Sequence, residues 1–197
     1  LRKCPCPVWL QKPDANPVPR TVLAAVDVDA WDAAEPETLF SLNRRVIETA
    51  RLIAAPTGAQ VTVLHAWDAI GDGMVWAFST SGDARATAES YVNEVLSDRE
   101  RAMQQLVREV AAAGSDQGSA DLVPQLVRGQ PEQVIEAQSR VHAADVVVMG
   151  TVARTGLSGV FIGNTAENII NSLECPVLAV KPDGFVSPLD PAFSKPS

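Results

Sequence analysis

The stretch Asp145-Val-Val-Val-Met-Gly150, continued by Thr-Val-Ala-Arg-Thr-Gly-Leu-Ser-Gly-Val-Phe-Ile-Gly163 and Asn164-Thr-Ala-Glu-Asn-Ile-Ile-Asn-Ser-Leu173, decides the fold. It opens with an unbroken apolar run closed by glycine, the pattern of a strand buried on both faces. Ala166, Ile169, Ile170 and Leu173 then recur at i, i+3, i+4 and i+7, one face of a helix. Asn164 reads as the N-cap of that helix, with Glu167 three residues on as its capping-box partner. A glycine-rich loop that leaves the carboxyl end of a strand and closes on a helix N-terminus presents unpaired backbone N–H groups and a positive dipole end. That setting suits phosphate.

Working outward, strands and helices alternate. Thr21 to Val26 reads as a buried first strand ending at Asp27. Glu35-Pro36 opens a helix with Leu39, Leu42, Val46, Ala50 and Ile53 on one side, stopped at Pro56-Thr57-Gly58. Val61 to Ala66 is a second strand. A long connection follows, holding an apolar knot at Met74-Val75-Trp76-Ala77-Phe78. Residues 85 to 113 form a long helix with Val92, Val95, Leu96, Leu106 and Val110 inward and its many charges outward. Leu122 to Val127 is a third strand, and Pro131 starts the next helix. The quoted strand, loop and helix come next, and Val177 to Lys181 is the last strand. Such alternation predicts an α/β fold: an open parallel sheet with right-handed crossovers and helices on both faces.

Composition narrows the function classes. Hydrophobic content is 46% and the formal net charge is −8, with no cluster of Lys and Arg. Neither nucleic acid nor an anionic membrane surface is the expected partner. No apolar run approaches the ~20 residues of a membrane span. Three cysteines make no disulfide framework, and Cys4 and Cys6, one residue apart and far from both histidines, do not have zinc-ligand spacing. No signal peptide is visible, so a cytoplasmic, reducing setting is expected.

The quoted loop resembles the universal stress protein family. Nucleotide-binding members carry Gly, two residues, Gly, nine residues, Gly, then Ser or Thr. Here those positions are Gly150, Ala153, Gly163 and Asn164. The flanks match too: Val-Val-Met-Gly-Thr before, Arg-Thr-Gly-Leu inside, Gly-Asn-Thr-Ala-Glu and Cys-Pro-Val-Leu-Ala-Val-Lys after. The resemblance implies five parallel strands in the order 3-2-1-4-5, a Rossmann-like sheet whose switch point lies between the first and fourth strands. It implies that Asp27 holds ribose or adenine, that Ala66 packs on the base, and that Gly150, Thr151, Ala153, Arg154, Gly163, Asn164 and Thr165 cradle phosphates.

Two departures bear on affinity. If the family glycine at position 153 uses positive φ, an alanine there costs about 1–2 kcal/mol, roughly a tenfold loss of affinity or more. Asn164 still donates through its amide, a milder change. ATP is therefore expected to bind weakly or not at all.

Near the start, Cys6-Pro-Val-Trp-Leu-Gln-Lys-Pro-Asp14 echoes Cys175-Pro-Val-Leu-Ala-Val-Lys-Pro-Asp183, with six of nine positions identical. Residues 1–12 are accordingly read as the last strand of a preceding domain of the same kind, 13–19 as a linker, 20–183 as a universal stress protein domain and 184–197 as an irregular tail. The chain begins with Leu1, which suggests a fragment or processed product. Final strands of two domains pair antiparallel in this family, so residues 6–11 are expected against 176–181, or against their equivalents in a second chain.

Three functions are weighed. The first is a non-enzymatic stress-response module that binds a small ligand or dimerises, its nucleotide loop degraded. The second is an ATP-binding protein with slow hydrolysis. The third, a dedicated enzyme, lacks an evident nucleophile, metal cluster or acid/base pair. His65 is expected to be a strand residue with a satisfied hydrogen bond. The knot at 74–78 either completes the core or lines an apolar pocket for a partly hydrophobic ligand.

Overall fold

A computed structural model describes residues 4–29, 35–69, 82–113, 120–151 and 164–183, together with 185 and 187. Its strands are β1 (Val8–Leu10), β2 (Thr21–Ala25), β3 (Gln60–Trp67), β4 (Leu122–Arg128), β5 (Val146–Gly150) and β6 (Val177–Val180). Its helices are α1 (Pro36–Ala54), α2 (Gly82–Ala113), α3 (Pro131–Val141) and α4 (Asn164–Ser172). One six-stranded sheet runs β1-β6-β5-β2-β3-β4. The last five strands in that order are parallel and have the expected sequence, third-second-first-fourth-fifth when read from the β4 edge.

The sixth strand is β1. It lies antiparallel on β6, with Val8 opposite Ala179, Trp9 opposite Leu178 and Leu10 opposite Val177. This is the pairing expected for residues 6–11 and 176–181, made here within one chain. It covers the β6 edge, which would otherwise present unpaired backbone groups. The opposite edge is β4, where Pro124 lies within the strand, as an edge allows.

Strand alternation sorts the core onto two faces. Val22, Ala24, Val61, Val63, Val146 and Val148 pack under Leu42, Val46 and Ile47 of α1 and Met103, Leu106 and Val110 of α2. Leu23, Leu64, Val147 and Met149 pack under Val134 and Ile135 of α3, Ile169 and Ile170 of α4, and Leu173 just after it. Three valines in a row are thus used on both faces of one strand, which only a doubly covered sheet requires.

Boundaries shift by one to three residues. The fifth strand begins at Val146 rather than Asp145, although the Asp145 N–H still donates to the Thr21 carbonyl at 2.9 Å. Its carboxylate accepts from Arg20 N at 2.7 Å, Thr21 N at 3.0 Å and Asn16 Nδ2 at 3.3 Å, which fastens the segment before β2 to the sheet. Helix α4 already includes Asn164, which is its first helical residue rather than the expected N-cap. At the far end, Asp183 accepts from Ser41 Oγ at 3.0 Å and pairs with Arg45, tying the segment after β6 to α1.

Candidate functional site

Strands β2 and β5 run side by side with Ala25 opposite Met149, and their chains leave the sheet together at its carboxyl end. From β2 the chain turns toward β3; from β5 it turns the other way toward β6. This is the switch point of an open parallel sheet, where such sheets bind ligands. Asp27 stands just beyond β2, and Gly150 and Thr151 just beyond the buried part of β5.

The segment Val26–Asp29 is gripped from three elements. Asn43, buried on α1, accepts from Asp27 N at 2.9 Å and donates through Nδ2 to the Asp27 carbonyl. Val26 N donates to the Leu64 carbonyl at 2.9 Å, extending the β2–β3 ladder by one residue. His65 of β3 reaches the Val26 carbonyl with Nδ1 at 3.2 Å. With both ends of its peptide unit held, Asp27 is half-buried, and its Oδ1 accepts from Asp29 N at 3.1 Å, a turn stabilised by its own side chain.

Asp29 turns back into the protein. It is 7% exposed, and its Oδ1 lies 2.8 Å from Arg99 Nε on α2. Arg99 is 8% exposed. A buried carboxylate without a cation would be costly, and the guanidinium offsets that cost. Asp29 Oδ2 lies 3.7 Å from His65 Nε2, which has no hydrogen-bond partner among the described residues. Nδ1 lies between the Val26 carbonyl at 3.2 Å and Val28 N at 3.5 Å, and Nε2 faces the carboxylate. His65 is thus a strand residue with a hydrogen bond, as expected.

Asp27, Asp29 and His65 bring one ligand-type atom each within 4.8 Å of one another. Sequence reading missed this group. Its search for metal ligands weighed only the spacing of cysteines and histidines, whereas here two residues of one turn meet a third on the neighbouring strand. The parallel register, Ala25 opposite Leu64, sets His65 level with the turn. Arg99 already shares the Asp29 carboxylate, so that member of the group is paired with a cation before any ion is considered.

The other expected site residues divide. Ala66 is buried in the core on the α3/α4 face. Gly150 lies where an added Cβ would meet Leu42 Cδ2 at 2.7 Å, so glycine spares the Leu42 side chain of α1 a shift, independently of any ligand. Thr151 is fully buried, and its hydroxyl donates to the Val180 carbonyl at 3.2 Å, so its side chain is engaged within the protein. Asn164 and Thr165 form the first turn of α4, at the dipole end suited to an anion. Ala153, Arg154 and Gly163 lie outside the described residues, as does the apolar knot at 74–78. An open groove of about 580 Å³ lies at the opposite, amino end of the sheet, bordered by Lys12, Asn16, Asp145 and Cys175. It is remote from the switch point and contains none of the expected ligand residues.

Comparison with known proteins agrees with this geometry. The model of the universal stress protein family matches residues 20–181. Universal stress protein E of Escherichia coli K12 is 30% identical over 191 residues, covering 96% of this chain and 55% of that protein. The chain spans about half the length of the curated relatives it matches. Among solved structures, a functionally unknown protein from Pseudomonas aeruginosa PAO1 superposes with a TM-score of 0.64 at 29% identity, over 93% of this chain and 55% of that one. A universal stress protein crystallised in complex with cAMP superposes with a TM-score of 0.51 at 19% identity, over 83% of this chain and 98% of that one, a likeness of fold.

Proposed function

Because the chain belongs to the universal stress protein family, we propose that it is a non-enzymatic module of that family. It holds a small nucleotide-type ligand at the carboxyl ends of β2 and β5, and β1 comes from a preceding module of the same kind. The observation that carries the ligand site is the grip on Val26–Asp29. Three elements fix the backbone on which Asp27 stands, and a prearranged carboxylate binds sugar hydroxyls without paying to order itself. The first turn of α4 supplies the anion end of the crevice. With Ala153 where the family has glycine, a ligand bearing a single phosphate fits better than a triphosphate, and a cyclic nucleotide in a protein of the same fold is an example of that size.

The repeated Cys-Pro-Val run and the antiparallel β1–β6 pairing support the tandem reading. No helix among the described residues is long and apolar enough to cross a membrane, and the module is proposed to work in the cytoplasm. Calorimetric titration of the intact chain with cAMP and with ATP tests the site. Weak binding of cAMP, lost in Asp27→Ala, is expected. Ala153→Gly with Asn164→Ser should tighten ATP binding about tenfold or more. Tight ATP binding by the unaltered chain, with phosphate released over hours, would replace this reading with that of a slow ATPase.

A further inference from the structure

Just ahead of β1 the chain reads Cys4-Pro5-Cys6-Pro7, and its backbone bends at Pro5 and Cys6. The bend brings Cys4 Sγ and Cys6 Sγ to 2.9 Å. In this 197-residue chain Cys6 is exposed and Cys4 half-buried. The third cysteine, Cys175, stands before β6 at the other end of the β1–β6 ribbon, on the side of Lys12. We propose that Cys4 and Cys6 are a redox-active dithiol, oxidised by a hydroperoxide to an intramolecular disulfide and restored by an external dithiol.

Geometry separates this from the neighbouring possibilities. Cysteines two residues apart reach the Cα separation of a disulfide only when the chain between them bends, and here it does. The prolines at 5 and 7 each fix a φ angle and restrict the residue before them, so little freedom is lost when the sulfurs join. Two thiolates on one tetrahedral zinc, each about 2.3 Å from the metal, would stand well farther apart than these sulfurs do.

The thiols also differ in reactivity. Contact with Cys6 sulfur holds Cys4 below the ordinary thiol range. Cys6 is pushed up by the same contact. Burial pushes Cys175 up. The attacking group in thiol oxidation is the thiolate, so Cys4 reacts first.

The step balances. The Cys4 thiolate attacks one peroxide oxygen, the O–O bond breaks, and hydroxide leaves to take up a proton, giving a sulfenic acid on Cys4. Cys6 sulfur then attacks Cys4 sulfur, the S–OH bond breaks, and the Cys6 proton leaves with hydroxide as water. Two thiols and one hydrogen peroxide thus become one disulfide and two waters. A small external dithiol returns both sulfurs to thiols by exchange and is itself oxidised.

The test is to treat the reduced 197-residue chain with an equimolar amount of hydrogen peroxide and count thiols. Of three thiols, two should be lost and regained on adding dithiothreitol, and the peptide holding residues 4–6 should be lighter by two hydrogens. In Cys6→Ser, dimedone should trap a sulfenic acid on Cys4; in Cys175→Ser, disulfide formation should continue unchanged. In the untreated chain at neutral pH, iodoacetamide should label Cys4 several-fold faster than Cys175. Three thiols left unreacted, a disulfide between chains, or Cys175 oxidised as readily as Cys4 would each overturn the proposal.

Discussion

At the carboxyl end of the sheet, Asp29 and Arg99 meet at 2.8 Å with less than a tenth of either exposed. Beyond its amino end, Arg140 reaches Glu136 at 2.8 Å and Glu174 at 3.0 Å with about half of its side chain in water. Contact lengths are alike, yet the two sets differ in what would replace each partner. Water screens and solvates Arg140 whichever carboxylate it leaves, whereas a group on the Asp29–Arg99 pair that loses its partner stays in the protein. Burial, more than bond length, decides which of these contacts the fold depends on.

That contrast can be broken at graded points. The largest effect should come from Asp29→Ala, which leaves the Arg99 guanidinium buried without this carboxylate. A loss of about 3–5 kcal/mol is expected in urea denaturation. Adding Arg99→Met should recover much of it, because the second change removes the stranded charge. If the double variant is as unstable as the sum of the single ones, the pair is not coupled as described.

Next comes Asn43→Ala, which removes both side-chain bonds to the Asp27 peptide. About 1–3 kcal/mol should be lost, and hydrogen exchange at Asp27 N should quicken while that of β5 does not. Asp145→Ala, at the amino end, frees two N–H groups that can turn to water, so about 1 kcal/mol is expected from thermal unfolding. Smallest of all, Arg140→Ala should leave the melting temperature where it was. A fall matching that of Asp29→Ala would reverse the argument from burial.

Much of this architecture was legible in the chain. Val146, Val147 and Val148 required a sheet covered on both faces, and the repeated Cys-Pro-Val run anticipated that residues near the start would lie on β6. The site was legible only in part. Asp27 stood out because it follows an apolar run, but Arg99 sits in Ser-Asp-Arg-Glu-Arg and reads as one charge on a solvated face. Its helical phase with Met103, Leu106 and Val110 places it on the buried stripe, a signal that charge counting overrides. Asn43 was hidden in the same way, beside Leu42 and Val46 on α1. Long-range pairing of Asp29 with residues 65 and 99 has no local sequence pattern at all, since only the sheet register and the packing of α2 bring them together.

The register of β1 on β6 carries a further consequence. Trp9 and Leu178 hold the same place in the two copies of the repeat, and they face each other directly. A local twofold axis therefore passes between them. If β1 closes a preceding module, rotation by half a turn carries one module onto the other, and their ligand crevices open toward opposite ends of a shared sheet. No single nucleotide could then bridge the two crevices, and any cooperation between them would have to pass through the backbone ladder at the axis.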